Sequence, residues 1–81
     1  LSEERRKELI KLIHKIIEDG KIAVRNIRRD AIHKIHDYGK EENISEDEIK
    51  GRETDLQSIT DRHIKELETQ EKNKEEDLMK V

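Results

Sequence analysis

The 81-residue sequence has no cysteine and no proline, no phenylalanine or tryptophan, and a single tyrosine, Tyr38. Without cysteine, disulfide frameworks and thiolate metal sites are excluded. Without proline, no ring clash interrupts a helix. With so little aromatic area, the chain cannot bury a large compact core. No apolar run approaches the roughly 20 residues that cross a bilayer, and no signal-peptide pattern opens the chain. Gly-rich phosphate loops and nucleophile motifs are absent as well, so enzymatic signals are poor and no catalytic residue is assigned.

What is present is charge, 48% of residues against 30% apolar, with a net charge of −3. The two halves differ in sign. Residues 1–40 carry 11 Lys/Arg and 7 Asp/Glu, a net of +4; residues 41–81 carry 7 and 14, a net of −7. Such a chain is either disordered or built from long helices sharing a thin apolar seam. Periodicity selects the helices. Leu9, Leu12, Ile13, Ile16, Ile17, Val24, Ile27, Ala31, Ile35 and Tyr38 recur mostly at steps of three and four, the period of a helix and not of a strand. Ser2 reads as its N-cap, with Glu3 and Glu4 where the helix dipole favours negative charge. Ile10, Ile22 and Ile32 widen the apolar face, which implies more than one packing partner. Gly20 falls on the seam side, where a neighbouring helix would approach closely.

The first helix is expected over about residues 2–39 and a turn over about 40–44, where Gly39 or Asn43 can adopt the left-handed conformation that ends a helix. Ser45 then reads as an N-cap with Glu48 at N3, and Ile44 and Ile49 flank it: a capping box with a hydrophobic staple. The second helix is expected over about 45–79, with a thinner seam of Ile49, Leu56, Ile59, Ile64 and Leu67 and a polar end from Thr69 onward that frays or projects. The connection is short, so the helices should run antiparallel. The fold class is therefore all-α: a long antiparallel helical hairpin, incomplete by itself. It reads as two helices of a three-helix bundle or as a hairpin that self-associates.

Two groups of side chains invite a functional reading. His33 and His36 share a helix face, but no third ligand is fixed beside them, and no metal site is assigned. His14 reads as a surface residue and His63 as a packed one near the seam. The basic residues are more telling. With Ile27 set at zero, an ideal helix places Arg6 near 60°, Arg28 near 100°, Lys21 near 120°, Arg25 near 160° and Arg29 near 200°. This is a positive stripe beside the seam. The guanidinium fork suits phosphate oxygens, whereas stacking aromatics for reading single strands are missing. Recognition of the backbone and shape of a folded nucleic acid fits best. Neutralisation by the chain's own carboxylates is the opposing reading.

Four stretches, LSEERRKEL, GKIAVRNIRRDA, NISEDEI and EEDLMKV, resemble in order the ribosome recycling factor family. That resemblance implies that residues 1–81 are part of domain I, its second and third helices, with the first helix and an inserted domain II outside the sequence. It implies a non-enzymatic factor, without a cofactor, that splits post-termination ribosomes into subunits together with elongation factor G. It further implies that Arg25, Arg28 and Arg29, with Arg6, contact large-subunit ribosomal RNA. The compartment would be a bacterial cytoplasm, a plastid or a mitochondrion. The competing class is a structural helical hairpin whose apolar seam pairs with a coiled-coil partner.

Overall fold

The computed structural model describes all 81 residues. Two helices, α1 (Glu3–Glu41) and α2 (Glu46–Lys80), fold back on each other as an antiparallel hairpin with Cα extents of 61 × 15 × 10 Å. Neither helix is long and apolar enough to cross a membrane.

Local chemistry sets the ends. Ser2 Oγ accepts the Arg5 N–H at 3.1 Å, and Ser45 Oγ accepts the Glu48 N–H at 3.2 Å. Each serine thereby satisfies one of the amides that a helix start leaves without a partner. The expected return bond of the capping box does not form: the Glu48 carboxylate turns to Arg52, 3.2 Å away. α1 ends where Asn43 takes φ 52° and the Ile44 N–H reaches back to the Gly39 carbonyl at 3.0 Å. This is the six-to-one bond of a Schellman closure.

Of the two candidates for the left-handed position, Asn43 fills it. Gly39 stays helical and buried under Ile49 of α2. A Cβ at position 39 would lie 3.1 Å from Ile49 Cγ1 and closer still to Cδ1, so the absent side chain is what lets α2 begin against α1. Gly20 also lies in the interface, but more loosely: a Cβ there would meet Leu67 Cδ1 at 3.5 Å, ordinary contact.

The polar end of α2 does not fray. The helix runs to Lys80, and Leu78 in its last turn has its carbonyl bonded by Arg6 Nε of α1 at 3.0 Å. That carbonyl is among those a helix end leaves unpaired, so an arginine from one end of the chain closes the other.

The seam is rotated from the one periodicity suggests. α1 turns Ile10, Ile13, Ile17, Val24, Arg28, Ala31, Ile35 and Gly39 toward α2, while Leu12, Ile16, Ile27 and Tyr38 lie exposed on a neighbouring face, 52%, 58%, 66% and 53% accessible. From α2 come Ile49, Leu56, Thr60, Ile64, Leu67 and Leu78; Ile59, expected in the seam, is exposed. Thr60 is buried and satisfies its hydroxyl on the Leu56 carbonyl at 2.8 Å. Only Ile17, Gly39 and Thr60 are buried outright, so two helices enclose almost no core. A helix draws most of its stability from a covered face, and one apolar face of α1 has no cover in this chain.

Candidate functional site

The five basic residues of the expected stripe do not form one surface. The interhelical groove is centred close to Arg28, and the stripe divides about it. Arg6, Lys21 and Arg28 are half-buried in the groove, whereas Arg25 and Arg29 stand on its outer flank, exposed. The groove accepts long basic side chains because their methylene stems cover apolar surface while the charged head stays near water.

Their partners differ in kind. Arg6 holds Glu3 at 2.9 Å as well as the Leu78 carbonyl, and Lys21 holds Glu18 at 3.3 Å. Arg5, Lys15 and Arg52 also pair with carboxylates, Glu8, Asp19 and Glu48 respectively. The three arginines of the RNIRRDA segment have no carboxylate partner. Arg28 donates from Nη1 to the Gln57 amide oxygen at 2.7 Å, Arg29 donates to the Asn26 amide oxygen at 3.2 Å, and Arg25 makes no side-chain hydrogen bond. An amide oxygen orients a guanidinium without cancelling its charge. Three uncompensated positive charges therefore lie within five residues, on two adjoining faces of a rigid helix. Such a cluster can receive phosphate oxygens through forked hydrogen bonds. Neutralisation by the chain's own carboxylates, the opposing reading of the sequence, does not occur at Arg25, Arg28 or Arg29. It does occur at Lys21, through Glu18.

Four polar contacts cross between the helices. In order from the open end to the turn they are Arg6 with the Leu78 carbonyl, His14 with Glu71, Arg28 with Gln57, and His36 with Glu53. They fix the antiparallel register between the apolar layers. Two involve histidines whose partners the sequence did not disclose. His14 is exposed as expected, with Nδ1 2.9 Å from Glu71 Oε1. That hydrogen bond, and then the Glu71 charge, raise the His14 pKa above its ordinary 6.5; desolvation opposes them, and Glu18 and Glu75 add smaller upward contributions. His36 turns to Glu53 on α2 and not to a metal position shared with His33. His63, expected to be packed, is exposed beside Glu66 at 3.5 Å. The one cluster whose donor atoms converge is His14, Glu18 and Glu71, all within 4.8 Å of one another. Lys21 draws on the same Glu18 carboxylate.

Similarity to known proteins is continuous along the chain. The family model described as ribosome recycling factor matches residues 1–79. Over all 81 residues the chain is 48% identical to the chloroplastic ribosome-recycling factor of Oryza sativa subsp. indica and 49% identical to that of Spinacia oleracea, covering 30% of each of those proteins. It is 51% identical to the ribosome-recycling factor of Xylella fastidiosa (strain 9a5c), covering 44% of it. The chain thus spans between about a third and a half of the length of the curated relatives it matches.

Proposed function

The chain belongs to the ribosome recycling factor family, and from that premise we propose that it is the RNA-gripping part of a factor that splits ribosomes after termination. The working surface is the large subunit's ribosomal RNA. The contact residues are Arg25, Arg28 and Arg29, with Arg6 and Lys21 at the margin, where their own carboxylates already hold them. The mechanism is mechanical and not chemical. A stiff hairpin, fixed to phosphates by its middle, transmits a displacement imposed by elongation factor G acting on other parts of the whole protein. Bacterial cytoplasm and plastid are the compartments that the named relatives support.

The observation that carries this reading is the partnering of the three arginines: amide or nothing, where Arg5, Arg6 and Arg52 hold carboxylates. A positive charge left uncompensated on a rigid element is available to an external anion at little reorganisation cost. The test is co-sedimentation of the full-length protein with large ribosomal subunits over a series of salt concentrations. Arg28→Ala should weaken binding about tenfold, the scale of a charge-assisted hydrogen bond. It should also flatten the dependence of log affinity on log salt by roughly 0.7–0.9, the share of one phosphate contact. Unchanged affinity and slope would refute the reading.

A second reading draws on the open face of Leu12, Ile16, Ile27 and Tyr38. A stripe of that kind is a seat for another helix, and it keeps the interaction-module function and self-association of the hairpin in view. The two readings are separable, because apolar pairing is insensitive to salt and phosphate contact is not.

A further inference from the structure

Arg28 is the only residue of the RNIRRDA segment whose guanidinium is held from the opposite helix, and the holder is an unusual choice for this chain. Gln57 lies half-buried on α2 among acidic neighbours, where a glutamate would match both the local composition and the arginine. Its amide makes two bonds. Oε1 accepts from Arg28 Nη1 at 2.7 Å, and Nε2 donates to Asp61 Oδ1, one helical turn on, at 2.8 Å.

Those two partners leave the amide one orientation. An arginine only donates and a carboxylate only accepts, so the oxygen must face Arg28 and the nitrogen must face Asp61. The pair of bonds therefore locks the Gln57 rotamer, and the locked oxygen fixes one corner of the guanidinium plane. Nε of Arg28 is sealed from solvent with no partner, while Nη2 makes no bond within the protein. The fork is thus anchored on one terminal nitrogen and unspent on the other.

We infer that Gln57, oriented by Asp61, is a positioning residue that aims the free Nη2 of the Arg28 guanidinium at a phosphate while leaving its charge intact. This rests on the reading that Arg28 contacts RNA. The side chain at 57 must be an acceptor to hold the fork, and it must be neutral, because a carboxylate would take both terminal nitrogens and cancel the charge. Asp61 keeps its own charge one step removed, bonded to the amide and not to the arginine. Preorganisation of this kind spares the entropy of fixing a long side chain when the partner arrives.

The experiment is a double-mutant cycle in the full-length protein, read as large-subunit affinity over a salt series, with a circular-dichroism melt for each variant. Gln57→Ala should weaken binding about two- to tenfold, the range of one hydrogen bond, with the salt slope retained, since Arg28 still reaches its phosphate. Gln57→Glu should weaken it and also flatten the slope toward that of Arg28→Ala, with an unchanged or raised melting temperature. In an Arg28→Ala background, Gln57→Ala should have no further effect. Should Gln57→Ala fold poorly, Asp61→Asn, which releases the amide orientation, should reproduce a smaller loss in the native fold. An Arg28→Ala protein that binds normally overturns both this inference and the RNA reading. A weakened Arg28→Ala protein, combined with a neutral Gln57→Glu or with fully additive Gln57 and Arg28 effects, overturns the positioning role alone.

Discussion

The two apolar faces of α1 differ in what they bury and in what they leave out. The face toward α2 holds Ile17 at 8% exposure, yet it also takes Arg28, Lys21 and Arg6. The neighbouring face carries Ile16, Ile27 and Tyr38, each more than half exposed. Burying an isoleucine is favourable, and part-burying an arginine or lysine is tolerated where its head is bonded, as all three are here. The groove between two helices is a fit for long amphipathic side chains, while the broad open face is a fit for a third element. The two faces are therefore segregated: the groove takes the long basic side chains, and the open face has no cover in this chain.

The largest expected effect tests that segregation directly. In the 81-residue chain, Ile17→Ala should cost about 2 kcal/mol, the low end for a buried isoleucine because the groove is shallow. Ile27→Ala should change stability by no more than about 0.5 kcal/mol, as an exposed position does. Urea unfolding of the two variants measures the difference. Equal costs would mean that the open face is covered in solution, and a melting temperature that rises with protein concentration would identify a second copy as the cover.

That contrast also marks where the sequence was legible. Helical period, the two serine caps and the short connection all read correctly, because each is a local signal with a local cause. The rotation of the seam did not, because apolar residues from Leu12 round to Ile32 cover more than a third of the helix circumference. Periodicity shows that such a face exists but not which part of it meets α2. That choice is made by the partner's narrower stripe and by Gly39, which fixes how closely Ile49 can sit. The same rotation moved Arg6, Lys21 and Arg28 from beside the seam into the groove. The amide partners at Asn26 and Gln57 were missed for a different reason. Asn26 lies three residues from Arg29 and was readable in principle, whereas Gln57 is 29 residues from Arg28 and needed the register.

The two interface glycines sharpen the comparison along the groove. Gly39→Ala should destabilise by about 1–2 kcal/mol, because the new Cβ overlaps the Ile49 side chain and forces it aside. Gly20→Ala should stabilise by up to about 1 kcal/mol, since the helix gains in propensity and the methyl finds ordinary contact with Leu67. Thermal melts followed by circular dichroism should shift in opposite directions. Two shifts of the same sign would mean that helices near the turn and near the middle are equally spaced.

The smallest effect belongs to the exposed bridge between His14 and Glu71, and its sign follows from the direction of the shift. Glu71 raises the His14 pKa above 6.5 in the folded chain. The folded state then binds the proton more tightly than the unfolded state does, and the stabilisation is full below about 6.5, the unfolded value. It is lost as pH rises through the raised folded value. Melting temperature should therefore decline between pH 6 and pH 8 in the unmodified protein. His14→Ala should flatten that decline, and Glu71→Gln should do the same while leaving the imidazole in place. A decline that survived His14→Ala intact would refute the assignment of the pH dependence to this bridge.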